Sequence, residues 1–210
     1  MVSMRALAKK MSNFVYLIGI DEVGRGPIAG SVVVGAFIFL KPGAKKLFRG
    51  VKESKQLNEQ KREEWFGIIE KAKKSGYIDF SVTFQSEKII DTKGLSYAIK
   101  TALFKSLGNI VVANKIKLLQ TKVLLDGGLK APANYPNQKT IIKGDEKEVV
   151  IALASICAKV LRDRKMNALA KKYPKYGFER HKGYGTKGHY GAIKKYGKLA
   201  VHRKSFLKRF

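Results

Sequence analysis

The chain has 210 residues, with 43 Lys and Arg against 16 Asp and Glu, and its net charge is +27. A content of 45% hydrophobic and 10% aromatic residues is enough to bury a core, which excludes a disordered basic tail. No apolar run approaches the roughly 20 residues of a membrane helix, and the single Cys157 excludes an intramolecular disulfide framework. These features predict a soluble, cytoplasmic protein with Cys157 buried as a small hydrophobe; they leave oligomeric state open, with a monomer as the default expectation. In chain order, Phe14 to Ile20 (FVYLIGI) is aromatic and β-branched and predicts a buried strand. After a glycine-rich break, Ser31 to Leu40 predicts a second strand, ended by Lys41-Pro42-Gly43. Glu59 to Lys74 has helical spacing, with Trp65, Ile68, Ile69 and Ala72 on one face. Tyr77 to Phe84 alternates towards a strand, and Leu95 to Leu107 reads as a helix. Short strands follow at Lys122 to Leu125 and from Thr140 to Ile142. Glu148 to Asn167 predicts a long helix, whose face of Ile151, Ala154, Ser155, Ala158 and Leu161 suits close packing on a sheet. The remainder is helical and turn-like, broken by Pro174 and by the glycines of HKGYGTKGHYG. The expected architecture is an α/β domain with a mixed sheet over residues 1–163, carrying a basic helical extension over 164–210.

The charge is unevenly spread. From Arg164 to Phe210 there are 15 basic groups and one acid, Glu179. Tyr173, Tyr176, Phe178, Tyr184 and Tyr190 are interleaved with them. Basic groups mixed with aromatics suit a nucleic-acid surface, because Lys and Arg displace condensed counterions from phosphates. Charge alone fits a non-enzymatic RNA- or DNA-binding protein equally well.

Acids are scarce, so their positions are informative. Asp21-Glu22 follow the first strand, Asp126 follows another, and Asp145 lies at the end of a third. Each sits where an apolar strand meets a glycine-containing turn. Loops at the carboxyl ends of strands converge on a crevice in open α/β sheets. Two carboxylates about 5 Å apart repel by about 3 kcal/mol at an effective dielectric of about 20. Hard divalent cations with oxygen ligands, Mg²⁺ or Mn²⁺, offset such repulsion; neighbouring Lys or Arg is the alternative. A pair of such metals beside a basic surface points to phosphodiester hydrolysis. His181, His189 and His202 lack the spacing of a zinc site. Gly24-Arg25-Gly26-Pro27 follows the first acids and lets backbone amides approach a ligand, although a plain strand-to-strand turn reads the same way. Gly183-Tyr184-Gly185-Thr186-Lys187-Gly188 matches GxGxxG literally but sits in a basic loop with no strand before it, so it is not a dinucleotide signal.

GIDEVGRGPIAG (Gly19 to Gly30) resembles the opening motif of the ribonuclease HII family. The resemblance continues in family order through ESKQL, LLDGG, IIKGD, ASICAKVLRDRKM, YPKYGFERHKGYGT and HRKSF, spanning nearly the whole chain. It implies a ribonuclease H-like fold with a central mixed five-stranded sheet flanked by helices. The implied activity is a metal-dependent endonuclease acting on RNA–DNA hybrids and on single ribonucleotides in duplex DNA, cutting on the 5′ side. By the same resemblance the metal-binding carboxylates fall on Asp21, Glu22, Asp126 and Asp145. Gly24, Arg25 and Gly26 fall where backbone groups recognise the 2′-hydroxyl, and Tyr184 where a ring packs on the sugar at the ribo–deoxyribo junction. Ser54 and Lys55 match positions near the phosphate backbone, and Lys143 lies beside the last acid. Two positions depart from the pattern: Glu53 where Asp is usual, and Gly128 where Asn is frequent.

Overall fold

The computed structural model describes residues 16–51 and 57–208. Phe14, Val15, Glu53, Ser54 and Lys55 therefore lie outside the described residues. One five-stranded sheet is ordered β3-β2-β1-β4-β5. Its strands are β1 (Tyr16–Val23), β2 (Val32–Phe39), β3 (Ile78–Gln85), β4 (Thr121–Asp126) and β5 (Gln138–Ile141). β1, β2 and β3 pair antiparallel, whereas β4 joins β1 and β5 joins β4 in parallel, making the sheet mixed. Asp21 and Glu22 belong to β1 instead of following it. The ladder to β2 continues through Glu22↔Val34 and Val23↔Val33, because antiparallel pairing holds the strand past its apolar run.

The helices among the described residues are α1 (Glu59–Lys74), α2 (Glu87–Lys93), α3 (Leu95–Ala113), α4 (Gly144–Lys147), α5 (Val149–Lys172), α6 (Phe178–His181) and α7 (Lys187–Tyr196). α1 has the expected bounds, fixed at its start by the Asn58 side chain accepting from the Lys61 N–H at 2.8 Å. Its inward stripe is Phe66, Ile69 and Ala72, with Trp65 partly buried and Ile68 turned to solvent at 40% exposure. α3 runs past the expected end at Leu107, since Gly108 sits in open space and interrupts nothing. α5 likewise continues to Lys172 and stops two residues before Pro174. It passes unbroken through the expected division at 163/164.

Each face of the sheet carries its own core. Ile18, Ile20, Val34, Val123 and Leu125 face α3, while Phe37, Leu124 and Ile78 face α1 and α5. α5 lies unusually close: a Cβ on Gly19 would sit 2.4 Å from the Val150 carbonyl, and one on Gly35 would sit 2.4 Å from that of Ala154. Glycine at these two strand positions lets the helix backbone touch the sheet beside Asp21, which pairs with Gly35. A third cluster joins Ile28 and Ala29 to Met166, Tyr176, Phe178, Ile193 and Leu207, and so packs the C-terminal region on the loop after β1. Cys157 is buried in the α5 face. No described helix is long and apolar enough to cross a membrane.

Candidate active site

The acids come from inside β1 (Asp21), from the end of β4 (Asp126) and, instead of the expected strand end, from the short helix after β5 (Asp145). Ile20 pairs with Leu125 across the parallel β1–β4 ladder, so the next residue on each strand is a carboxylate, Asp21 and Asp126. After β5, Lys143 takes left-handed backbone (φ 53, ψ 51) and turns the chain into α4, which carries Asp145 in its first turn. The Gly144 N–H donates to Asp126 Oδ1 at 2.6 Å. A Cβ on Gly144 would lie 2.6 Å from Ile151 Cδ1, so glycine there leaves the end of the Ile151 side chain undisturbed. One carboxylate oxygen each from Asp21, Asp126 and Asp145 lies within 4.8 Å of the others. Asp21 is 4% exposed and Asp145 3%.

Burial pushes the Asp21 carboxyl well above its ordinary range; a hydrogen bond with Ser155 opposes this, and the charges of Glu22, Asp126 and Asp145 add to it. Burial also raises Glu22, against the Arg25 guanidinium, whose Nη1 donates to Glu22 Oε1 at 2.8 Å. Glu22 lines the same cleft but stands outside the three converging oxygens, and its Oε2 is buried without a hydrogen-bond partner. Lys159 also lines the cleft, yet its Nζ is held by Asp163 Oδ1 at 2.8 Å. Crowded buried carboxylates, with one oxygen lacking any donor, fit a hard divalent cation with oxygen ligands.

Opposite the acids, Gly24 takes a φ of +90°, and a Cβ there would lie 2.4 Å from Arg162 Nε. Gly26 faces the Tyr184 ring: a Cβ on it would lie 3.6 Å from Tyr184 Cε1. Asp21, Glu22, Gly24, Arg25, Gly26, Asp126 and Tyr184, distant along the chain, thus line one cleft of about 260 Å³. A larger groove of about 480 Å³ adjoins at Arg25 and includes Gly128, Lys100 and Lys130. Lys143 is not in the cleft lining; its Nζ pairs with Glu146 Oε1 at 3.1 Å on the surface. Ser54 and Lys55 lie outside the described residues.

Sequence reasoning missed several contributors. Ser155 reads as a small packing residue, but it bonds to Asp21. Lys159, four residues on, shares its helix face, a spacing that was available as a signal. Two buried arginines underlie the glycine turn. Arg162 donates from Nε to the Ser31 carbonyl at 3.1 Å, and Arg203 bonds to the carbonyls of Gly24, Arg25 and Gly30. No local sequence signal marks either.

Residues 18–209 match the family model described as Ribonuclease HII. The chain belongs to the ribonuclease HII family. The Ribonuclease HII of Bacillus anthracis is 44% identical over 199 residues, covering 95% of this chain and 72% of that protein. Among solved structures, the RNase HII of Archaeoglobus fulgidus, determined in complex with PCNA, superposes with a TM-score of 0.69 at 25% identity, covering 91% of this chain and 94% of that one. The ribonuclease H2 of Pyrococcus horikoshii gives 0.68 at 26% identity, covering 93% and 96%. The five-stranded mixed sheet is therefore of the ribonuclease H type. As a ribonuclease HII the chain is an endoribonuclease, and its aspartate cluster suits metal-dependent hydrolysis.

Proposed function

We propose that the cleft hydrolyses the RNA strand of RNA–DNA hybrids and cuts duplex DNA on the 5′ side of a single embedded ribonucleotide, leaving 3′-hydroxyl and 5′-phosphate ends. The observation that carries this reading is the meeting of three carboxylate oxygens within 4.8 Å, two of them from Asp21 and Asp126, which line one cleft with the glycine turn and Tyr184, while Asp145 lies outside the cleft lining. Asp21, Asp126 and Asp145, with Glu22 at the rim, would hold Mg²⁺ or Mn²⁺. Bound there, such ions supply a water of lowered pKa and charge stabilisation for the scissile phosphate and leaving oxygen.

The chain's own residues provide the rest. Ser155 orients Asp21, and the Gly144 N–H orients Asp126, so both carboxylates are held before substrate arrives. Arg203 holds the Gly24 and Arg25 carbonyls, so the N–H groups of the Gly24–Gly26 turn are the ones offered to a 2′-hydroxyl, the one group that separates a ribonucleotide from its deoxy neighbours. The Tyr184 ring, 47% exposed and facing Gly26, packs against the adjacent sugar. Arg25 holds Glu22 and leaves most of its side chain to solvent, within reach of a phosphate. Lys143 contacts the phosphate backbone, the role the resemblance also gives to Ser54 and Lys55 outside the described residues, and the basic surface from Arg164 onward grips the duplex without reading sequence.

Asp126→Asn tests the assignment. The variant keeps the affinity of wild type for a duplex containing one ribonucleotide, measured by fluorescence anisotropy. Cleavage falls at least about 100-fold, as expected when several kcal/mol of charge stabilisation is removed. Parallel loss of binding and cleavage would contradict a metal-holding role.

A further inference from the structure

Two adjacent C-terminal residues reach both ribose-reading elements of the cleft. The Arg203 side chain is buried, and all three of its donating nitrogens end on the turn after β1. Nη2 donates to the Gly24 carbonyl at 2.7 Å, Nη1 to Arg25 at 2.9 Å and Nε to Gly30 at 2.8 Å. Its own N–H donates to the Ile28 carbonyl at 2.8 Å. Burial, with Arg162 nearby, pulls the guanidinium down to about 10, which leaves it charged at neutral pH.

His202 reaches the other element through a chain of bonds that allows one set of tautomers. The Leu199 N–H donates to His202 Nδ1 at 2.8 Å, so that nitrogen is an acceptor and the His202 proton sits on Nε2. His202 Nε2 then donates to His189 Nε2 at 3.0 Å. This leaves the His189 proton on Nδ1, which donates to the Tyr184 carbonyl at 2.8 Å. Both imidazoles are buried, and burial holds both in the neutral form. The backbone reinforces the same link: Ala29 bridges His202, the Gly30 N–H donates to Val201, and the Ile28 and Ala29 N–H groups donate to Gly183.

We infer that His202 and Arg203 are positioning residues that set the Gly24–Gly26 turn and Tyr184 in register with each other, so that both meet one sugar. Arg203 acts on the turn, and His202 acts on Tyr184 through His189. The inference rests on the proposed function, because it assigns these residues to the reading of the ribose. A simple staple of the C-terminal region would use the same contacts without sensitivity to what Tyr184 does. The two roles separate in a double-mutant cycle.

The cycle compares His202→Asn with Tyr184→Ala, singly and together, on a DNA duplex containing one ribonucleotide. His202→Asn lowers kcat about tenfold while the Kd for an all-DNA duplex stays within about twofold of wild type. In the Tyr184→Ala background the same change lowers kcat less than twofold, since the ring it positions is gone. Arg203→Lys, which keeps the charge but offers one nitrogen for three carbonyls, also lowers kcat about tenfold at unchanged duplex affinity. If His202→Asn loses its folded circular-dichroism signal, His189→Asn takes its place in the cycle with the same expectation. Equal losses of kcat with and without Tyr184, or a matching loss of duplex affinity, would overturn the inference and leave the proposed function standing. Failure of the wild-type protein to cut the duplex would overturn both.

Discussion

Asp21 is the residue at which stability and function pull apart. Its carboxyl is raised by burial, so the folded state keeps a proton that the unfolded chain releases near 3.8. The stabilisation from that proton is present below 3.8 and lost as pH rises through the folded value. At neutral pH without divalent ions, burying this carboxyl among the other acids therefore works against the fold. Asp21→Asn is expected to raise the melting temperature in EDTA by a few degrees, while abolishing cleavage. Mg²⁺ is expected to raise the melting temperature of wild type and leave the variant nearly unmoved, because an ion that binds only the folded state stabilises it. A drop in melting temperature for the variant in EDTA would contradict this electrostatic account. Tyr184 bears on selectivity instead: Tyr184→Ala should lower kcat for a single ribonucleotide about tenfold, read by initial rates on a labelled duplex. Both roles follow from where the side chains end up: Asp21 nearly sealed from water, Tyr184 half exposed above Gly26.

Helix α5 brings Ser155 and Lys159 to the cleft by lying against bare backbone at Gly19 and Gly35. Gly35→Ala would place a methyl group 2.4 Å from the Ala154 carbonyl oxygen. It should cost about 1–3 kcal/mol in urea denaturation, the usual penalty for overpacking. An unchanged denaturation midpoint would show that the helix can back away. The small and apolar α5 face from Ile151 to Leu161 was legible in the sequence, and so was α1, whose amphipathic spacing is local, although its Asn58 cap was not read. α2 escaped notice because seven residues carry too little periodicity. The end of α3 was misjudged because glycine penalises a helix without stopping one, and Gly108 has solvent around it. The acids were readable for a related reason: Asp126 closes an apolar strand run, and Asp145 follows a glycine turn. Glu22 within β1 was displaced by one structural step, since pairing to β2, and not its own polarity, decides where the strand ends.

At the scale of the whole molecule, the C-terminal region folds back onto the loop after β1 through contacts between residues more than 170 positions apart. Nothing in a linear reading announces that Arg203 serves backbone carbonyls, because its partners carry no side-chain signature. The same fold-back buries His189 and His202. An unfolded histidine titrates near 6.5, whereas His189 is held down to about 4. Between those values the unfolded state binds a proton that the folded state refuses, so stability falls as pH drops from 6.5 towards 4. In an Asp21→Asn background, which removes the opposing contribution of that raised carboxyl, a lower melting temperature at pH 5 than at pH 7 is expected, and the drop should shrink when His189→Asn and His202→Asn are added. With 15 basic groups against one acid from Arg164 onward, affinity for any duplex should weaken steeply between about 50 and 200 mM salt, whatever its sequence. The convergence of Asp21, Asp126 and Asp145 beside the glycine turn is most directly tested by incubating the wild-type protein with two duplexes of identical sequence, one all-DNA and one carrying a single ribonucleotide, in Mg²⁺ or Mn²⁺ and in EDTA. Cleavage of only the ribonucleotide-containing duplex, on the 5′ side of that nucleotide and only with the divalent ion, is the predicted result. Cleavage that persists in EDTA, or that cuts both duplexes alike, would contradict it.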